Sequence, residues 1–345
     1  MSMNRPAAAA LAAALCLLTT ACGSSSDDKA GDSTTEAAAA KAGYPVTLDN
    51  CGEKETFKKA PSRVVVMNGA SVAEVSTLLA LGLGDRIVAN EQSYGMSEVA
   101  GRAAAIKKLP TGDIKLNDAY DVPREAMLGL RPDLVLSVTT YGFDQKNGFA
   151  TREQLKQVGA NSYVSPQGCD DDPSKMTVAD SYRLLRDMGK VFNVSDRAEK
   201  LIAASEKNIA AVSDKVKGEK KPKVMVLFSN MTMGSNDFSS VFAHGIVNDI
   251  LAKAGGANAF ENTAKTTFAD LSKEKVAATD VDAVVVMGYN DPNPAAYAKK
   301  LFKEFPQWPA AKNNTYVTLS DSMYLGPSND VAVEQVAKML HPDAF

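Results

Sequence analysis

Short apolar runs rich in β-branched residues recur along the chain, with helical patterns between them. Residues 63–67, 87–89, 134–138 and 162–164 read as buried strands in the first half, and 224–228, 283–287 and 316–319 in the second. Apolar residues at helical spacing fall at 72–81, 124–130, 152–158, 246–254 and 295–305. This alternation predicts an α/β fold: two lobes with mainly parallel sheets. One long helix, 195–217, is predicted between them. Ser195 and Asp196 start it, Gly218 stops it, and Leu201, Ser205, Ile209, Val212 and Val216 trace one face. At 1.5 Å per residue it measures ~30 Å, about the width of a small lobe.

An internal repeat is superimposed on this pattern. The stretch 121–127 leads to the strand beginning Asp133-Leu134-Val135, and 270–276 leads to Asp282-Ala283-Val284, with one constant offset of 149 residues. Each copy reads as a helix opening near an acidic residue, a short turn with Asp, then a buried strand. Glu125 and Glu274 fall in the first turn of their helices. Favourable interaction with the helix dipole, about 0.3–1 kcal/mol, explains either one alone. Their equivalence on two lobes adds a second reading, a matched pair of recognition charges.

The N-terminus is an address. A single positive charge, Arg5, precedes an apolar run of 12 residues, 7–18, too short to span a bilayer and typical of a signal peptide. It ends in Thr19-Thr20-Ala21-Cys22-Gly23. Small residues before a cysteine resemble a bacterial lipobox, although Thr19 stands where Leu is usual, and an ordinary signal peptide cut near Ala21 is the alternative. Residues 23–42 are Ser, Asp, Ala, Gly and Thr in the main, with no aromatic, a composition that cannot pack. The predicted organisation is therefore signal peptide 1–21, lipidated Cys22 opening a tether 22–43, N-terminal lobe 44–194, inter-lobe helix 195–217 and C-terminal lobe 218–345.

Composition narrows the function. The chain has 345 residues, enough for about two domains at roughly 150 residues each. Basic residues number 38 and acidic 41, a net charge of −3, so the basic excess of a nucleic-acid-binding domain is missing. No apolar run beyond residue 22 reaches the ~18 residues of a membrane span. With Cys16 removed and Cys22 lipidated, Cys51 and Cys169 remain. In an exported chain they are expected to form one disulfide, two free thiols being the alternative. The chain has two histidines, His244 and His341, and lacks G-x-S-x-G, P-loop and H-E-x-x-H patterns. It is therefore expected not to be an enzyme, to carry no cofactor, and to hold no metal site of its own.

Several stretches carry a family resemblance. Lys59-Ala60-Pro61-Ser62-Arg63-Val64-Val65, Leu81-Gly82-Leu83-Gly84-Asp85-Arg86-Ile87 and Leu130-Arg131-Pro132-Asp133-Leu134 resemble the periplasmic binding proteins that serve importers of ferric siderophores, haem and corrinoids. Trp308-Pro309-Ala310-Ala311, Thr315-Tyr316-Val317 and Gly326-Pro327-Ser328 are similar to it near the end. The resemblance implies two α/β lobes joined by one helix, ligand held between them and little hinge motion. It also implies docking of one exposed Glu per lobe onto the ABC permease dimer, here Glu125 and Glu274, by a monomeric receptor anchored by lipid on the outer face of the cytoplasmic membrane. Trp308 matches a structural position of the family.

In α/β lobes ligands bind beyond the carboxyl ends of the strands. The loops there offer Asn68, Tyr94, Tyr141, Phe143, Met231, Phe238, Tyr289 and Tyr324 as ligand-binding residues. The resemblance adds His244, at the start of a helix facing the cleft, with capping or packing as its other reading. These loops hold Lys146 as their one nearby cation, against Glu91, Asp144, Asp237, Asp291 and Asp321. Arg63, Arg124 and Arg152 lie outside them. The expected ligand is an iron chelate, a neutral or cationic ferric siderophore of hydroxamate type, with haem or a corrinoid as the alternative within the family.

Overall fold

The computed structural model of the chain describes residues 43–69, 71–93, 96–169 and 173–345. The expected signal peptide, Cys22, the tether up to residue 42 and Tyr94 lie outside the described residues.

The described chain opens with an antiparallel hairpin that the apolar pattern did not predict, β1 (Val46–Asn50) and β2 (Glu53–Phe57). The N-terminal lobe then builds a parallel sheet from β3 (Val64–Val66), β4 (Ile87–Asn90), β5 (Leu134–Ser137) and β6 (Asn161–Val164), in the order β4-β3-β5-β6. Val64, Val65 and Val66 are all fully buried. Burial on both faces is what an unbroken β-branched run demands.

The C-terminal lobe uses β7 (Lys223–Phe228), β8 (Phe238–Phe242), β9 (Ala257–Asn258), β10 (Phe268–Leu271), β11 (Ala283–Met287) and β12 (Tyr316–Leu319). Its order is β10-β8-β7-β11-β12, with β9 beside the start of β7. Strands β7, β11 and β12 run parallel as expected. The sheet as a whole is mixed, because β8 and β10 join it antiparallel.

The repeat is structural. Helix Arg124–Gly129 precedes β5, and helix Lys273–Ala277 precedes β11. Each helix runs back along the strand that follows it. Both N-termini, with Glu125 and Glu274, therefore sit at the carboxyl ends of the sheets.

Three helices weld the lobes: Val178–Val191, Ser195–Lys215 and Asn329–Leu340. The first and third were not predicted. The middle one buries Ala198, Ile202, Ser205, Ile209 and Val212. One apolar cluster runs without a break from Val64, Val66 and Leu134 through Leu184, Ile202 and Ile209 to Val224, Val226 and Val333. Toward the N-terminal lobe, the hydroxyls of Tyr182 and Ser205 meet at 3.0 Å, and Arg197 donates to the Leu81 carbonyl. Toward the other lobe, Ser213 Oγ donates to the Lys253 carbonyl at 2.8 Å.

The hairpin is fixed by a buried polar cluster. Asn50 caps the free edge of β6: its Nδ2 donates to the Val164 carbonyl and its Oδ1 accepts from Val164 N–H, each at 2.8 Å. Arg152 is 8% exposed and Glu55 fully buried; they pair at 3.1 Å. Arg152 also donates to the Asn50 carbonyl and to Ser162 Oγ, both at 2.9 Å. Breaking a buried pair by removing one member generally costs about 3–5 kcal/mol, because a charge is left uncompensated. Next to this cluster Cys51 is bonded to Cys169 across 118 residues, with Cα atoms 4.8 Å apart.

Candidate functional site: the inter-lobe cleft

A cavity of about 490 Å³ opens between the lobes. That is within the usual size of a small-molecule site. The N-terminal lobe contributes the residues that follow its strands: Gly69 and Ser71 after β3, Val138 and Thr139 after β5, Gln167 and Gly168 after β6. From the other lobe come Met233, Phe242, His244, Thr267 and Phe268, and from the turn after β12 Met323, Tyr324 and Leu325. Two glycines bring the walls close. A Cβ on Gly168 would collide with the Val138 carbonyl oxygen, and Gly245, at φ +100°, would place one 2.9 Å from the Pro173 carbonyl oxygen.

Aromatic rings form the C-terminal wall. Phe242 and Phe268 lie 4.6 Å apart by centroid, and Phe228 lies 5.3 Å from Phe242 and 6.1 Å from Tyr324. Phe242, Phe268, Thr267, Gln167 and Met176 were missed in the sequence. Phe242 and Phe268 sit on the antiparallel strands β8 and β10, where the sequence pattern placed none. The run Phe238-Ser239-Ser240-Val241-Phe242, ended by aromatic residues and buried throughout, was the available signal.

The expected ligand residues divide. Tyr324 and His244 line the cavity. His244 Nε2 is 2.8 Å from the Ala264 carbonyl oxygen, a packing contact that still leaves the ring in the wall. His244 precedes the helix Ile246–Lys253 instead of starting it. Asn68 sits at the end of β3, its Nδ2 donating to the Tyr120 carbonyl at 2.9 Å. Tyr141 is exposed and meets Phe149 edge-on at 5.8 Å. Met231 and Tyr289 are half-buried and pack against the shared core.

Two residues must be corrected. Phe143 is buried in the core of the N-terminal lobe, in one cluster with Met67 and Phe149. Phe238 is buried in the C-terminal lobe, 5.6 Å from the Phe305 ring. Both lie near strand ends, but their side chains point into a sheet–helix layer, and position along the chain alone does not reveal that direction.

Charge is placed differently from the loop inventory. Arg63 donates to the carbonyls of Leu130 and Arg131, Arg124 pairs with Glu125 at 2.6 Å, and Arg152 is held by Glu55. None of the three reaches the cavity, and Lys146 is exposed. Among the described residues lining the cavity there is no Lys, Arg, Asp or Glu. Of the acids, Asp144 caps its own turn, accepting from Lys146 N–H at 2.8 Å, and Asp237 lines a separate hollow with Tyr297 and Glu304. Glu91, after β4 on the same lobe rim, is half-buried; burial, with Asp121 beside it, pushes it up to about 7. Tyr120, next to Asp121, is 75% exposed and holds φ at +59°, rare for a bulky residue. Among the described residues no group of three or more His, Cys, Asp or Glu could hold a metal ion.

The pattern that defines the periplasmic binding protein family matches residues 64–323. The chain belongs to that family. This binding protein is similar in fold to a protein of an ABC-type Fe3+-hydroxamate transport system from Saccharomonospora viridis, at 23% identity and a TM-score of 0.66, covering 86% of this chain and 99% of that one. It is also similar to the haem-binding protein RhuT from Roseiflexus sp. RS-1, at 22% identity and a TM-score of 0.59, covering 82% and 99%. A third relative, CeuE of Helicobacter pylori in a nickel–histidine complex, is 19% identical with a TM-score of 0.62, covering 88% and 90%. Comparison with curated proteins finds no match.

The Glu91 carboxyl yields a signed expectation. Its native value lies above the ordinary 4.5, so the folded protein binds the extra proton between pH 4.5 and about 7 and loses stability as pH rises through that window. Glu91→Gln removes the penalty. Its melting temperature relative to the parent is expected to rise from pH 5 to pH 8.5 in calorimetry; a pH-independent difference would refute the assignment.

Proposed function

We propose that the protein is an exported, lipid-anchored receptor that binds a neutral or cationic ferric siderophore of hydroxamate type between its lobes and hands it to an ABC permease. The ligand is cargo; no cofactor and no reaction are required of the chain. One observation carries the ligand class: the cavity is walled by aromatic, Met and neutral polar side chains, with no Lys or Arg among the described residues. An anion buried there would lack paired cations, at a cost of several kcal/mol per uncompensated charge. Tyr324, Phe242 and Phe268 can cover a neutral chelate, while Thr139, Gln167 and Thr267 offer hydrogen bonds to its oxygens. The exposed tyrosines Tyr120 and Tyr141 would close over it from the rim. Haem fits less well, because His244 Nε2 is already engaged by the Ala264 carbonyl.

Titrating intrinsic fluorescence with a ferric hydroxamate, a ferric catecholate, haem and a corrinoid tests this reading. Binding of the hydroxamate at least 100-fold tighter than the catecholate is expected. Tight catecholate binding without a hydroxamate response would overturn it.

Delivery rests on Glu125 and Glu274. Both are exposed at equivalent helix N-termini on the cleft side of the two lobes. Hydrogen bonding from Arg124 holds Glu125 below the usual carboxylate range, and its own backbone N–H does the same for Glu274. Both stay ionised and ready for bidentate, charge-assisted contacts with Arg of a permease dimer. Glu125→Ala with Glu274→Ala is expected to leave ligand affinity within about twofold and to abolish uptake in cells. Weakened ligand binding by the double variant would place these residues in the cleft instead.

The anchor is assigned to Cys22 by the apolar run, the small residues before it and the unstructured composition after it. Two acyl chains on one cysteine meet the two-chain requirement for stable membrane attachment. Cys22→Ala is expected to move the protein from the membrane fraction to the soluble one, and unchanged fractionation would exclude lipidation. The receptor is taken to act as a monomer, one copy spanning both halves of the permease.

A further inference from the structure

Polar contacts between the lobes gather at the β4–β12 end of the cleft. Ser97 Oγ, on the segment after β4, donates to Asp321 Oδ2 at 2.8 Å. The Ser322 N–H donates to Glu98 Oε2 at 3.0 Å, and Ser320 Oγ to the Met96 carbonyl at 3.3 Å. The Glu98 and Asp321 carboxyls, one from each lobe, are within hydrogen-bonding reach of each other. Asp321 is buried, and its Oδ1 finds no donor among the described residues. Two carboxylates in such contact cannot both remain ionised. A proton on one of them supplies the donor that Oδ1 lacks.

We propose that Glu98 and Asp321 share one proton and that this proton latches the lobes together at the β4–β12 end of the cleft. The inference is independent of what the cleft carries. Among the described residues the cation acting on Asp321 is Arg102, which is half-buried and donates to the Ser76 carbonyl at 3.1 Å. Among the described residues, the other elements packed nearby bring no free charge. Helix Ala73–Ala80 offers Ser76 and Thr77, with Glu74 tied to Gln92 and Ser165. Helix Asn329–Leu340 offers Asn329, with Asp330 held by Asn208. In helix Ile246–Lys253, Asp249 pairs with Lys253. Burial and Glu98 push Asp321 up to about 7. Separated acids in water titrate near 4. The closed bridge therefore holds a proton that the open form has already lost, so raising the pH toward 7 disfavours it, increasing the open population about tenfold per pH unit until the effect levels off above 7, where both forms are deprotonated.

Amide hydrogen exchange of the ligand-free protein reads this directly, because the Ser322 N–H is one of the bridging donors. Its protection factor, corrected for intrinsic rates, is expected to fall about tenfold per unit from pH 5 to 6.5 and to be flat from pH 7.5 to 8.5. Glu98→Gln keeps an acceptor for Ser322 and donates an amide proton to Asp321, so its protection is expected to depend less steeply on pH. A flat profile in the unmodified protein overturns the proposal, and so does a Glu98→Gln profile with the original slope. The unmodified protein decides the matter alone if the variant does not fold.

Discussion

The two lobes share one hydrophobic core, and the rest of the structure depends on that continuity. The apolar cluster passes from the first sheet to the second through helices Val178–Val191, Ser195–Lys215 and Asn329–Leu340. Returning one Ile, Leu or Val of that seam to water costs about 1.5–3 kcal/mol. Micromolar to nanomolar binding releases only about 8–12 kcal/mol. Wide opening, which would expose several of these residues, would use up most of that and is disfavoured. The cleft is consequently largely preformed, and its shape is set by packing behind it.

A preformed cleft needs fixed walls, and the N-terminal hairpin supplies one. Asn50 completes the edge of β6, Arg152 and Glu55 bury their charges together beneath it, and Cys51 is bonded to Cys169. Cys169 directly follows Gln167 and Gly168, which line the cavity. The N-terminal hairpin thus braces the loop that lines the cavity. The opposite wall is braced by aromatic packing: Phe228, buried on β7, supports Phe242, Phe268 and Tyr324 from behind.

Several polar contacts of the seam gather at its β4–β12 end. Those at the β4–β12 end belong to both lobes, so small relative motions of the lobes are felt first by Ser97, Glu98, Asp321 and Ser322. Glu125 and Glu274 stand clear of the seam on rigid helix starts. On the proposed docking role, a permease would grip the lobes there without disturbing the ligand cavity, and the separation of the two carboxylates is set by the same core that sets the cleft.

The strands β3 to β7, β11 and β12 were legible in the sequence because buried parallel strands are unbroken β-branched runs. The long helix was legible from its caps and its single apolar face, and the matched Glu125 and Glu274 from a repeat of constant offset. Other elements were hidden. Strands β1, β2, β8 and β10 are partly polar and antiparallel, without the unbroken β-branched run of a buried parallel strand. Helices Val178–Val191 and Asn329–Leu340 acquire their role from the seam they fill, which local periodicity does not describe. Phe143 and Phe238 passed as cleft residues because loop position says where a residue sits, not which way its side chain turns. Likewise Phe242 and Phe268, the aromatic wall, and the pairing of Glu98 with Asp321 join residues far apart in sequence. The β8–β10 ladder brings the first two together, and only the packing of one lobe against the other brings the second two together.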